Sequence, residues 1–457
     1  MDSNQTILEE FDPLQGKTGS DEVQEDKGSN EKNCDIKDDD VRVEVAEEGT
    51  EEVLEDSLYD FQLFIKQFKD PRAEPLVKYT KSFLNNFTRQ RLWTAEEQKK
   101  LINDFKIFVY DKFNSFEPFQ SMDARHLLNS QEGIEKLIMG KLYLYCFSPC
   151  LIKTRHLDEG HKNDLEVDAK LVAKIEEYSF IKPQNLDITG PMEKKLDKFI
   201  TISGNELNKI NKFKAPRDKM VNILNACKVL FGILKHNKLD HNGADSFIPL
   251  LIFTILKGNI EHLASNVKYI ERFRYEGFIR GESSYYISSL QAAIDFIISL
   301  DKSSLTITDE VEFDKLYEEN RETIEHKKRI KEDEIIASGK KITDIKRDVS
   351  PSEYIVRPLD EVASSLYSKI NEMFTFSNSG EEETSQDDSQ EGVLQSSDEA
   401  TQISELAEII EREEHMNVFE SLQSMFPDIE KEIIEDVCIA KKYRLGVCVD
   451  VLLSFTD

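Results

Sequence analysis

The 457-residue chain is poor in the compact patterns that carry metal, redox or phosphate chemistry. Its six cysteines, Cys34, Cys146, Cys150, Cys227, Cys438 and Cys448, form no C-x-x-C pair, and its eight histidines include no H-E-x-x-H. Reduced thiols and no zinc site are therefore expected. No glycine-rich G-x-x-x-x-G-K-[ST] loop occurs, so the chain is not expected to bind nucleotide tightly itself, and no cofactor is expected. The N-terminus lacks both a basic region and an apolar core, and no apolar run approaches the roughly 18 residues of a membrane span. A protein neither secreted nor membrane-spanning, hence cytoplasmic, is predicted. Sustained period-two alternation bounded by hairpin signals is also missing, which argues against sheets.

What the sequence has in quantity is acid. The formal charge is −30, but about −15 of it falls in residues 1–57 and about −13 in 371–414, which leaves the rest nearly neutral. No concentrated basic footprint remains for nucleic acid, and none is expected as a partner. Unspaced carboxylates such as Glu413 and Glu414 beside His415 read as solvated charge rather than a metal site. Residues 1–56, rich in Asp, Glu, Ser, Asn and Gly, cannot offset chain entropy by burial and are predicted to be a disordered acidic tail.

Between these acidic stretches the apolar residues recur at helical spacing. Ser57 is a plausible N-cap for Phe61, Phe64, Ile65 and Phe68, which end against Asp70-Pro71. Thr94-Ala95-Glu96-Glu97 has capping-box form ahead of Leu101, Phe105 and Phe108, and Ile134, Leu137, Ile138 and Leu142 mark another stripe. Leu171, Ile175 and Tyr178 predict a helix that stops before Pro183; Pro216 opens a long one through Ile223, Cys227 and Leu230. Leu263, Val267, Ile270 and then Tyr286, Leu290, Ala293, Ile297 give two more. The fold class is all-α, in the order supporting bundle 57–160, second helical domain 161–305, charged extension 306–376 with Val311, Leu316 and Ile324, acidic flexible linker 377–413, and a small three-helix module 414–457.

One segment stands apart. From Phe247 to Leu256 only Thr254 is polar, so this helix must be buried, and Asp245 sits at its mouth after the turn Asp240-His241-Asn242-Gly243. An acid there either caps the helix or meets something outside the domain.

Three stretches resemble the VPS-nine (vacuolar protein sorting nine) domain, the helical catalytic domain of exchange factors for endosomal Rab GTPases. They are Phe180-Ile181-Lys182-Pro183-Gln184-Asn185-Leu186-Asp187-Ile188, then Ile210 to Lys219, and Gly243 to Leu290; the likeness covers about residues 165–303. At the C-terminus, Leu422-Gln423-Ser424-Met425-Phe426-Pro427 and Cys448-Val449-Asp450-Val451-Leu452-Leu453 resemble a CUE domain, a ubiquitin-binding three-helix module.

The resemblance implies an exchange factor that is not an enzyme in the covalent sense. It releases GDP from a Rab of the early-endosomal, Rab-five class by stabilising the nucleotide-free state. In the family an aspartate enters the nucleotide site, engages the phosphate-loop lysine and disfavours Mg²⁺ and phosphate; Asp245 is the matching position. Tyr285 and Ser288, three residues apart on one helical face, match residues that contact the Rab switch regions, with serine where threonine is usual. Tyr286 is expected to pack inward. Pro249, expected in the first turn, either presses on the Rab or shapes the helix start. In the CUE module, Met425, Phe426, Leu452 and Leu453 are expected to present an apolar patch to ubiquitin, with Pro427 ending the first helix and Leu422, Ile433, Ile434, Val437 and Val449 forming the interior. Implied partners are an early-endosomal Rab and ubiquitin or ubiquitinated cargo, with peripheral recruitment to endosomes. The alternative reading is a ubiquitin-binding adaptor that docks Rab without exchange.

Overall fold

Every regular element among the described residues is a helix. The computed structural model describes residues 59–89, 94–152, 157–188, 193–236, 244–337, 412 and 415–455. The expected acidic tail, the linker apart from Arg412, and Ser57 lie outside them. The chain divides into two compact units: Met1–Arg89 with Asp104–Ile134, and Gln90–Asn103 with Glu135–Asp457. The expected 57–160 bundle is thus shared between them.

The first unit contains α1 (Phe61–Phe68), α2 (Glu74–Arg89) and parts of α3 (Ala95–Phe113) and α4 (Ala124–Cys146). Asp60 caps α1 by accepting from the Leu63 amide, and its own backbone is gripped by Asn129, whose side chain bonds both the Asp60 amide and its carbonyl. Phenylalanine fills the interior. Phe64, Phe68, Phe83, Phe105, Phe113 and Phe119 are almost fully buried, and Phe83 stacks on Phe105 with ring centroids 4.0 Å apart. α4 crosses α1 at Gly133, where a Cβ would lie 2.3 Å from the Phe64 ring, so no larger residue fits.

The second unit begins with the first turns of α3, where the expected capping box forms: the Thr94 amide donates to Glu97 and the Glu97 amide to Thr94 Oγ1. The rest of α4 follows, then α5 (Glu159–Glu177), α6 (Glu193–Asn208), α7 (Pro216–His236), α8 (Ala244–Gly258), α9 (Leu263–Phe273), α10 (Gly281–Ile298) and α11 (Glu310–Ala337). α8 is the central rod. Its Phe247, Leu250, Leu251, Ile255 and Leu256 are buried against α6, α7, α10 and α5, as its sequence requires. Pro216 is the first residue of α7, and α8 stops at Gly258 before Asn259, whose φ of 45° breaks the helix.

Buried polar struts tie the helices of this unit together. Arg274 meets Glu135 at 2.8 Å and the second Glu135 oxygen accepts from the Tyr275 amide at 2.7 Å. Ser148 donates to Asp164 and bonds His161 Nδ1, while Arg272 forks onto the same Asp164. The serine, histidine and aspartate are all buried, and the serine proton is committed to the carboxylate, so this trio is scaffold rather than a nucleophile. Burial, with Arg272 nearby, holds the His161 imidazole below its ordinary pKa. Lys219 is also buried. Its ammonium donates to the Ile210 carbonyl and to Asn266 and lies 4.9 Å from the Phe147 ring centroid, between the rings of Tyr143 and Tyr269. Desolvation pulls its pKa down to about 7.

The charged extension opens with α11, on which the expected Leu316 and Ile324 are half-buried but Val311 is not. Val311 is 82% exposed, whereas Phe313 is buried and Tyr317 donates to Glu177 at 2.7 Å. The Asn320 amide donates to the carbonyls of Glu176 and Glu177, adding a side-chain donor to the last turn of α5. Phe313, Leu316, Tyr317 and Asn320 follow i, i+3, i+4, i+7 spacing, so this face obeys helical periodicity and Val311 lies off it.

The C-terminal module is three helices: α12 (415–425), α13 (Lys431–Ala440) and α14 (Leu445–Ser454). Leu422, Ile434, Val437, Cys438, Cys448 and Val449 are buried. Ile433, expected inside, is 41% exposed: adjacent positions on α13 diverge by about 100°, and Ile434 takes the inward one.

Candidate functional site

Asp245 lies in the first turn of α8 and is exposed, with no hydrogen bond or ion pair to it among the described residues. The N-terminal end of the helix dipole favours a negative charge there. Residues three and four further on share its face, so Asp245, Ile248 and Pro249 form one edge of α8, and the last two are half-buried. Pro249 is inside the helix, in its second turn rather than its first. Having no N–H, it cannot donate to the carbonyl four residues back, which belongs to Asp245. Residue 245 therefore offers a carboxylate and a backbone oxygen without its helical donor.

Across from α8, α10 presents Ser284, Tyr285 and Ser288 outward, with Tyr285 39% exposed. Tyr286 turns inward as expected; its hydroxyl donates to Glu282 at 2.9 Å, and burial together with that carboxylate drives the phenol pKa well up. Beneath this surface lies an aromatic floor that pattern reading did not find. Phe231 of α7 stacks on Phe247 of α8 with centroids 4.4 Å apart, and Tyr285 and Tyr286 lean on both at 5.7 to 6.4 Å. Phe247 follows Asp245 by two residues, so the ring that supports Tyr285 is rigidly joined to the acid. The i, i+4 spacing of Glu282 and Tyr286 was readable in sequence; the meeting of Phe231 with Phe247 needs the tertiary fold.

Among the described residues no group of three or more His, Cys, Asp or Glu could hold a metal, and no helix is long and apolar enough to cross a membrane.

Three segments of the chain match known family models. Residues 200–302, which carry α7, α8 and α10, match the vacuolar sorting protein 9 (VPS9) domain, residues 415–456 match the CUE domain, and residues 78–143 match a domain of unknown function. The chain carries a VPS9 domain and a C-terminal CUE domain. Asp245, Pro249, Tyr285 and Ser288 all fall within the VPS9 match. The chain is similar to the vacuolar protein sorting-associated protein vps901 of Schizosaccharomyces pombe, 42% identical over 61% of this chain and 48% of the relative. It is 32% identical to vacuolar protein sorting-associated protein 9A of Arabidopsis thaliana over 57% of this chain and 48% of that one. Against the human Rab5 GDP/GTP exchange factor it is 29% identical over 56% of this chain and 50% of the relative. It spans about half the length of these curated relatives.

In the CUE domain, the four residues expected to form an open apolar patch are enclosed. Met425, Phe426, Leu452 and Leu453 are each at most 4% exposed, and only Pro427, which follows the end of α12, faces solvent. Part of the enclosure comes from α14 packing along α7 of the VPS9 domain.

Proposed function

We propose that this protein is a guanine-nucleotide exchange factor for a Rab GTPase, that the Rab is of the early-endosomal class, and that Asp245 is the residue that opens the nucleotide site. The observation that carries the reading is an exposed carboxylate, without a partner among the described residues, fixed on a buried helix of a VPS9 domain. A Rab holds the β-phosphate of GDP with a lysine, backbone amides and Mg²⁺. A rigid acid brought to that lysine competes for its charge and repels the phosphate, and the backbone oxygen beside Pro249 gives the same ammonium a second acceptor. Tyr285, held by the aromatic floor, and Ser288 on the same helix then contact the switch surface, and GTP enters the emptied site by its abundance. No covalent step is needed; binding energy released with the nucleotide-free Rab performs the work. The CUE domain supplies ubiquitin binding, and with it recruitment to endosomes carrying ubiquitinated cargo.

The test is release of a fluorescent GDP analogue from a panel of Rabs by the full chain. Acceleration on an early-endosomal Rab is expected. Asp245→Ala and Asp245→Asn should each reduce it about 30-fold or more, because truncating one partner of a desolvated charge pair costs about 2–5 kcal/mol. Rab binding without accelerated release would favour the adaptor reading, and full activity in Asp245→Ala would remove the aspartate mechanism.

A further inference from the structure

Helix α14 lies against α7 at two glycines. A Cβ on Gly232 of α7 would stand 3.1 Å from Val449 Cγ1 and 3.5 Å from Leu453 Cδ1. A Cβ on Gly446 of α14 would stand 2.9 Å from both Asn225 Oδ1 and Lys228 Cδ. Each helix thus contributes one position without a side chain, and the other's side chains occupy the space. Lys228 sits in the seam and reaches Asp450 of α14 at 3.6 Å and Glu282 of α10 at 3.4 Å.

Leu453 is one of the residues we assign to ubiquitin, and here it rests on Gly232 of the VPS9 domain. Its neighbour Leu452 and the α12 pair Met425 and Phe426 are closed off as well. The contact is not uniformly tight. Where α12 faces α6, a cavity of about 650 Å³ remains, lined by polar groups including Asn205, Lys209, Lys212, Glu420 and Ser424. One edge is close-packed and the other open, the form of a contact that can part without unfolding either domain.

We propose that the glycine-lined face of α7 is an internal docking site for α14, competing with ubiquitin for the same helix. In the closed chain the CUE domain is held on the VPS9 domain and its ubiquitin face is masked; ubiquitin captures the chain when α14 has left α7. Because only the open fraction binds, apparent ubiquitin affinity is reduced by that fraction, and ubiquitin in turn holds the chain open by the same factor. This inference rests on the CUE domain's binding ubiquitin.

A reversible staple tests it in the full chain. The position of a Gly446 Cβ is 3.6 Å from Lys228 Cβ, within the spacing of a disulfide. The pair Lys228→Cys with Gly446→Cys, oxidised and checked by peptide mass for the 228–446 bond, locks α14 down; a thiol reductant releases it. The oxidised protein should bind monoubiquitin at least about tenfold more weakly than the reduced protein. In the opposite direction, Gly232→Leu pushes α14 away and should tighten monoubiquitin binding relative to the unaltered chain. Equal affinity in the oxidised and reduced forms, with unchanged affinity in Gly232→Leu, overturns the docking site while leaving ubiquitin binding intact. Absence of binding in every form, opened ones included, overturns both the switch and the assignment of the CUE domain to ubiquitin. Circular dichroism of each variant, matching the unaltered chain, separates these outcomes from misfolding.

Discussion

Single side chains divide here into those legible in sequence and those that gain meaning only from their surroundings. Asp245 and the inward turn of Tyr286 were readable, because a lone acid before an apolar run and neighbouring helical positions obey local geometry. Lys219 was not. In sequence it is one more lysine in the run from Ile210 that resembles the VPS9 domain; in the structure it is a buried cation held by a carbonyl, an amide and aromatic rings. Its folded pKa of about 7 lies below the ordinary value of 10.5, so between the two the unfolded chain binds more protons and rising pH favours the folded state. Stability against urea should climb between pH 7 and 9, by up to ~1.4 kcal/mol per pH unit from this group. Above about 9 buried thiols such as Cys448, pushed up to about 12 by burial, begin to oppose it. Lys219→Met should flatten the slope in the lower window, and an unchanged slope would assign it to other groups.

At the scale of the element, helix starts and stops were well marked and the contacts between helices were not. Pro216, the Thr94 capping box and Gly258 act through the local backbone, so sequence suffices to place them. The stripe of α3 turned out rotated, with Ile102, Phe105 and Val109 most buried, because its neighbours and not its own periodicity decide which edge faces in. The polar joints between helices left no pattern at all, since Glu135 and Arg274 are 139 residues apart. They are nonetheless expensive to break. Glu135→Gln removes the carboxylate that holds the buried Arg274 guanidinium at 2.8 Å and should cost about 3–5 kcal/mol in chemical denaturation. Glu135→Leu with Arg274→Leu removes both charges and should recover much of that loss; if the single substitution costs under about 1 kcal/mol, the pair is not a structural joint.

For the molecule as a whole, composition sets acidic stretches apart from a nearly neutral helical body, while domain limits were harder to read. The packed helical unit does not end at residue 305, because Phe313, Tyr317 and Asn320 of α11 close the end of α5. A chain truncated after residue 330 should therefore melt higher than one truncated after residue 305. Burying Phe313 supplies about 1.5–3 kcal/mol, with a smaller share from half-buried Tyr317, or roughly 3 to 10 °C in Tm. Coincident melting curves would make α11 an appendage. The CUE domain is the larger revision: sequence presented it as a separate module with an outward patch, and the fold sets its last helix on α7. That seam, where Gly232 and Gly446 face the partner helix, is made by two missing side chains. Nearly any substitution at either position can only loosen it and almost none can tighten it, so random sequence change at those two sites would drive the protein one way, toward a chain permanently open.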